Sequence, residues 1–328
     1  MPQDSTVPPE GVFVPVPTFF KTSPASPSAL QAALDVPAQC QHSIHLAKNG
    51  VRGLVLLGST GEAIHLSRAE RFELISGVRD GLTKAGFPDY PIMAGVLTNS
   101  VDEALEWLGD AKKADAQWGL VLAPGYFGNA ANQENLLEWY TLVADLSPLP
   151  ILIYNYPGVT NNIMIGLDTY TKLAAHPNIV GCKMSHGNVS HHVQVSLDPT
   201  INHTKFRVYS GFGQQLGPIV LFGAAGVIDG LAAIYPRAVS RLFELAAKRP
   251  VTPEALQTMQ TWQFIVSRAE EMIGKWGIVG IKEGVYRELS IGNLQGGRLP
   301  LKGSMPEGEW AKWAVALDAM KKLELSVD

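Results

Sequence analysis

Cysteine is nearly missing from this chain: among 328 residues only Cys40 and Cys182 carry a thiol. Two cysteines cannot build a disulfide framework, and without a Cys-x-x-Cys pair they offer no zinc motif. That usage fits a reducing compartment. Long apolar runs are missing too, since no stretch approaches the ~18 residues a membrane span requires, so no membrane partner is expected. Nor is there a basic excess. Lys and Arg number 26 against 30 Asp and Glu, a formal net charge of −4, which gives no cationic face for nucleic acid. The first ten residues are polar and proline-rich, with neither an apolar signal core nor an arginine-rich transit pattern. They are expected to form a flexible tail, and the expected location is cytoplasmic.

What the chain does contain is a recurring rhythm. Short apolar, β-branched runs fall at 11–17, 52–57, 91–96, 118–123, 150–154, 178–183, 206–210 and 225–228. Each is continuous rather than alternating, as in parallel strands buried on both faces. Helical periodicity fills the gaps. Ser67 with Glu70 forms a capping box ahead of 67–85, and Asn99-Ser100 precedes a helix over 101–116. Eight strand–helix units in ~250 residues predict a (β/α)8 TIM barrel over 11–250; a doubly wound open sheet is the other solution periodicity allows. After residue 251 the strand rhythm stops. Helical stretches near 253–274, 277–289 and 306–326 predict a C-terminal helical appendage, 251–328, packed on the barrel.

In such a barrel, functional groups gather at the C-terminal ends of the strands. One lysine stands there. Lys183 closes the apolar run Ile179-Val180-Gly181-Cys182, whereas Lys48, Lys84, Lys112, Lys113, Lys248, Lys321 and Lys322 lie in polar or helical surroundings. Burying an ammonium costs several kcal/mol unless it is paired or loses its proton. A lysine pushed toward neutrality is an amine nucleophile able to form a Schiff base with a ketone. A lysine that snorkels out or pairs with a carboxylate is the ordinary alternative.

The other strand ends supply hydroxyls. Gly58-Ser59-Thr60-Gly61-Glu62 follows the second run; such a turn suits a carboxylate or single phosphate, yet is also an everyday Gly-Ser turn. It lacks the Gly-Lys-Ser/Thr ending of a nucleotide loop. Tyr154 ends the fifth run. Its phenol can relay protons if a neighbouring ammonium lowers its pKa from the ordinary ~10, although a buried tyrosine with a satisfied hydroxyl is common. Tyr126 has the same ambiguity and a less fixed position. His186, His191 and His192 match no standard ligand spacing and have no accompanying carboxylate, so neither a metal nor any other cofactor is expected.

Gly58-Ser59-Thr60-Gly61-Glu62, Tyr154-Asn155-x-Pro157 and Gly181-x-Lys183-x-Ser185 occur in the order and at about the intervals of the dihydrodipicolinate synthase / N-acetylneuraminate lyase superfamily, which the chain resembles from about residue 11 to at least 290. The resemblance implies a barrel, a homotetramer and a class I pyruvate-type aldolase acting on a small-molecule 2-keto acid. It implies that Lys183 carries the Schiff base, Tyr154 relays protons, and Ser59 and Thr60 hold the keto acid's carboxylate. Tyr126 and Ser185 are expected to contact substrate, and Gly211 and Ile228 match backbone positions lining the pyruvate pocket.

Departures narrow the substrate. Where the synthases carry an arginine after Tyr-Asn-x-Pro, this chain has Val159; where sialic acid lyases carry adjacent acids after strand seven, it has Gly213-Gln214. Tyr126-Phe127 replaces the usual tyrosine pair. In texture, including 11–20 and 176–181, the chain is most similar to fungal L-threo-3-deoxy-hexulosonate (2-keto-3-deoxy-L-galactonate) aldolases, with 4-hydroxy-2-oxoglutarate aldolases second. Synthase-like condensation and a non-catalytic barrel that senses a keto acid are the further alternatives.

Overall fold

The computed structural model describes residues 6–24 and 30–327. The chain enters through β1 (Gly11–Pro15), then makes an antiparallel hairpin of β2 (Phe20–Pro24) and β3 (Ala32–Leu34). That hairpin has no apolar alternation to announce it. Strand and helix then alternate through α1 (Val36–Lys48), β4 (Gly53–Leu56), α2 (Arg68–Lys84), β5 (Ile92–Val96), α3 (Val101–Lys113), β6 (Trp118–Leu122) and α4 (Gln133–Leu146). The series continues with β7 (Ile151–Asn155), α5 (Leu167–Ala174), β8 (Ile179–Met184), α6 (Val189–Leu197), β9 (Arg207–Ser210), α7 (Leu216–Leu221), β10 (Gly226–Ile228) and α8 (Pro236–Ala247).

Eight of these strands pair in parallel and close as β1-β10-β9-β8-β7-β6-β5-β4. The fold is the (β/α)8 TIM barrel the rhythm predicts. Its strands read as unbroken apolar runs because both faces are covered, yet the period of two persists inside them. Phe13, Val55, Met93, Leu152, Val180 and Ile228 fill the barrel interior, while Val12, Val14, Leu54 and Leu56 pack outward against helices. The predicted caps also form. Ser67 and Glu70 make a reciprocal capping box on α2, and the Ser100 side chain accepts from the Glu103 amide at the start of α3.

Residues 6–10 correct the expectation of a flexible tail, which for residues 1–5 falls outside the described residues. They lie across the N-terminal end of the barrel, where Trp118 Nε1 donates to Thr6 O at 2.7 Å and the Tyr209 hydroxyl to Pro9 O at 2.8 Å. Arg207 pairs with Glu10 at 2.7 Å. Strand-borne donors that would otherwise be buried at the barrel's closed end find carbonyls in this segment.

Beyond the barrel run α9 (Pro253–Leu289), α10 (Glu309–Lys312) and α11 (Ala314–Ser326). The two helices expected at 253–274 and 277–289 are both present within α9 and meet at a kink at Gly277 (φ 52°, ψ −131°), a conformation that only glycine adopts freely. Gln263 of α9 accepts from the Gly217 amide at 2.7 Å and donates to Gly213 O at 3.0 Å, docking the helix on the turn after β9. The far end of the chain returns to the turn after β4. Lys282 and the Arg298 amide donate to the Glu62 carboxylate, and the Arg298 guanidinium pairs with Glu70. That pairing is the main cause holding the Glu70 carboxyl below its usual range.

Candidate active site

Lys183 sits on β8 beside Tyr154 of β7, the two being direct partners in the parallel register. Parallel neighbours in register project their side chains to the same face, here the barrel interior. Lys183 Nζ lies 3.4 Å from the Tyr154 hydroxyl and 4.5 Å from the centre of its ring. The Tyr154 hydroxyl also meets Ser59 Oγ at 3.2 Å, joining the turn after β4 to this pair across 95 residues of sequence. Ser185, one residue past β8, also lies near enough to the phenol to favour its ionised form.

Burial governs the ionisation of both groups. Lys183 is 4% exposed, and loss of solvent brings its ammonium down to about 7, with the charge of Asp229 acting in the opposite direction. The phenol moves the other way from the sequence-based expectation. Burial pushes Tyr154 up to about 12, only partly offset by the hydrogen bonds from Ser59 and Ser185. A neighbouring lysine that is itself driven toward neutrality has little charge with which to stabilise a phenolate, so Tyr154 rests as a phenol.

A second buried lysine shows what the structural alternative looks like. Lys282 is also 4% exposed, and burial lowers it too, but its ammonium donates to Glu62, whose charge supports the protonated form. Lys183 has a phenol where Lys282 has a carboxylate.

Lys183, Tyr154, Ser59, Thr60, Ser185, Gly211 and Ile228 all line one cavity of about 730 Å³ at the C-terminal mouth of the barrel, within the ~300–1,000 Å³ typical of small-molecule sites. Gly211 is required by its neighbour: a Cβ there would stand 2.0 Å from Ser185 Oγ. Thr18 Oγ1 donates to Gly61 O at 2.6 Å and holds the Ser59–Thr60 turn against the end of β1.

Tyr126 is not brought to the site. It is 75% exposed, packs edge-on against Phe127 at 5.3 Å, and is absent from the cavity wall. Its place in an exposed loop rather than at a strand end explains the difference: Asn99 and Asn161 bind the loop's backbone and leave the ring in solvent. Tyr156 lines the cavity instead, stacked on Tyr154 at 6.0 Å. Tyr154 stands out in the sequence because it ends the fifth apolar run, whereas Tyr156 lies one residue past β7.

The sequence-based list of site residues does not contain Glu270. This residue of α9 is 3% exposed and lines the cavity together with Gln214 and the segment 273–279 around the helix break. Burial first, then the charge of and hydrogen bond with Asp229, raise the Glu270 carboxyl well above its ordinary range. Asp229 in turn accepts from the Gly213 and Ala232 amides at 3.1 and 3.0 Å. A helix two hundred residues from the first motif cannot be assigned to the site by periodicity.

His186 stacks on His191 with ring centres 5.2 Å apart and meets His192 at 4.6 Å. Both ring nitrogens of His192 face backbone carbonyls, Asn188 O and Met184 O. Among the described residues no three or more His, Cys, Asp or Glu side chains are arranged to hold a metal ion, and no helix is long and apolar enough to cross a membrane.

The Dihydrodipicolinate synthetase family model matches residues 20–273. The chain is 35% identical over 272 residues, 83% of each protein, to the probable mitochondrial 4-hydroxy-2-oxoglutarate aldolase of Emericella nidulans. It is 31% identical over 333 residues, 95% of each, to the L-threo-3-deoxy-hexylosonate aldolase of Aspergillus niger. Among solved structures, the chloride-inhibited dihydrodipicolinate synthase of Acinetobacter baumannii complexed with pyruvate superimposes with a TM-score of 0.82 at 26% identity, over 96% of this chain and 99% of that one.

Proposed function

The chain belongs to the dihydrodipicolinate synthetase family, and from that premise we propose that it cleaves a 2-keto-3-deoxy sugar acid through a Schiff base on Lys183. It is an enzyme of the aldolase kind, a carbon–carbon lyase. The observation that carries the mechanism is the buried Lys183 amine 3.4 Å from the Tyr154 phenol.

Ser59 and Thr60 hold the carboxylate of the keto acid. The neutral Lys183 amine adds to C2, and the resulting carbinolamine loses its hydroxyl as water, with Tyr154 supplying the proton. The raised pKa keeps the phenol protonated until that donation, and the iminium cation formed beside it stabilises the phenolate. The phenolate then takes the proton of the C4 hydroxyl. The C3–C4 bond breaks, its electrons pass into the iminium to give an enamine, and the aldehyde departs. Protonation at C3 restores the iminium; water adds, Lys183 is released, and pyruvate leaves. The water lost on imine formation is regained at hydrolysis.

The substrate we propose is 2-keto-3-deoxy-L-galactonate, giving pyruvate and L-glyceraldehyde in D-galacturonate breakdown. Full-length similarity to the Aspergillus niger enzyme supports that choice, as does Val159 on the cavity wall, where no arginine awaits a second substrate carboxylate. Similarity to the Emericella nidulans protein favours 4-hydroxy-2-oxoglutarate as the second reading. A cytosolic homotetramer is part of the same proposal, its size to be read by analytical ultracentrifugation. The deciding experiment is borohydride reduction with pyruvate followed by peptide mass analysis. One pyruvate-derived adduct is expected on the peptide bearing Lys183, and an unmodified Lys183 refutes the scheme.

A further inference from the structure

The turn that carries Ser59 and Thr60 is gripped from outside the barrel. Leu57 and Glu62, which bracket it, both adopt left-handed backbone conformations, with φ of 61° and 53°. Neither is a glycine, so each conformation persists only where surrounding contacts impose it. Within the turn those contacts are few: the Glu62 amide donates to Ser59 O at 3.1 Å, and Thr18 Oγ1 donates to Gly61 O at 2.6 Å.

At Glu62 the constraint comes from the C-terminal part of the chain. Its buried carboxylate accepts from Lys282 Nζ of α9 and from the Arg298 amide at 3.1 Å, and meets His65 Nδ1 at 3.1 Å. Gly297 wraps this group closely. A Cβ there would stand 2.5 Å from Oε1 and nearer still to Oε2. The buried Arg298 guanidinium donates to Ala32 O at 2.8 Å and to His65 O at 3.0 Å. One segment therefore fixes the β2–β3 hairpin, the residues after the turn and the turn itself. The same segment reaches the active site: Leu301, whose amide donates to Arg298 O at 2.7 Å, lines the cavity with Ser59 and Thr60. Mere attachment of the C-terminal helices could use any face of the barrel. Here the anchor point stands two residues from Thr60, at the strained end of the turn.

We propose that Lys282, Gly297 and Arg298 are positioning residues for the carboxylate of the keto acid. Acting through Glu62, they hold the turn so that the Ser59 and Thr60 hydroxyls converge on one carboxylate. The C-terminal appendage completes a substrate site that the barrel carries. This rests on the Schiff-base reading above and extends it to residues that do not line the cavity.

The test titrates borohydride trapping with two ketones. Pyruvate carries the carboxylate, and acetone offers Lys183 a ketone without one. Gly297→Ala pushes on the Glu62 carboxylate and is expected to raise the half-saturating pyruvate concentration about tenfold, one hydrogen bond's worth. The maximal trapping rate and the acetone reaction are expected to change less than twofold. The double variant Lys282→Met with Glu62→Gln, which leaves no buried charge of the pair uncompensated, is expected to show the same split and decides the matter should Gly297→Ala misfold. Unchanged pyruvate saturation, or equal losses with pyruvate and acetone, would overturn the assignment, because an anchor serving stability alone does not discriminate between the two ketones. Wild-type enzyme that traps pyruvate while the variants saturate as it does loses only this proposal. Wild-type enzyme that traps neither ketone removes the mechanism beneath it.

Discussion

Gly211 and Ser185 stand so close that a Cβ on the glycine would fall 2.0 Å from the serine Oγ and 2.9 Å from its Cβ. Ser185 acts on the ionisation of the Tyr154 phenol, so a clash at 211 is transmitted to the proposed proton relay. Gly211→Ala is expected to destabilise by about 1–3 kcal/mol, the usual cost of overpacking, and to slow pyruvate trapping. Adding Ser185→Ala removes the nearer contact but not the one at 2.9 Å, so it should recover part of the melting temperature. Differential scanning calorimetry of the single and double variants reads both effects.

Tyr154→Phe tests the relay apart from the nucleophile. Lys183 keeps its buried position without the hydroxyl, so borohydride trapping of pyruvate should persist at a reduced rate. Cleavage should fall by about 10²–10⁴, the range for loss of a positioned acid–base group. Single-turnover kinetics separate the two steps, and equal loss in both would show that the phenol only shapes the pocket.

The lowered pKa of Lys183 makes a signed prediction for pH. The amine must be neutral to attack, so trapping should rise with pH through about 7 and level off above it. Stability is linked to the same shift. An unfolded lysine titrates near ~10.4, so between about 7 and ~10.4 the unfolded chain binds more protons and this residue's contribution to stability rises with pH. Below about 7 the cost of the buried ammonium is constant. Lys183→Met should therefore melt higher than wild type at pH 7, and the gap should close as pH approaches ~10. Urea midpoints across that range measure it.

Lys282 and Glu62 should behave as a structural pair. Replacing Glu62 with Gln leaves a buried ammonium without its counter-charge, for which about 3–5 kcal/mol of destabilisation is typical. The double variant Lys282→Met with Glu62→Gln removes both charges and should recover most of that loss. Chemical denaturation of wild type, the two single variants and the double variant forms a double-mutant cycle, and additive losses would contradict a direct pairing.

Comparison of the two buried lysines shows how far one chain's letters reach. Lys183 was legible because it ends an apolar strand run in a barrel rhythm, where functional groups gather at the C-terminal ends of strands. Tyr154 was legible for the same reason, and the capping pair Ser67–Glu70 because its geometry spans only one helical turn. Tyr126 was misplaced because a loop has no period from which to read a direction. The pKa of Tyr154 was misjudged because burial, a property of the whole fold, outweighs the attraction of one neighbour.

The amino-acid order alone determined the eight barrel strands, their parallel class and the lysine that ends one of them, since these rest on local propensity and on interactions a few residues apart. Only the tertiary structure decided that the Lys183 amine lacks a carboxylate partner while Lys282 has one, that the N-terminal segment closes the barrel floor, and that a broken C-terminal helix lends Glu270 to the cavity. Those outcomes depend on contacts between segments as much as 220 residues apart. Such contacts are selected by the packing of a closed sheet against its helices, and the spacing of residues along one chain carries no record of them.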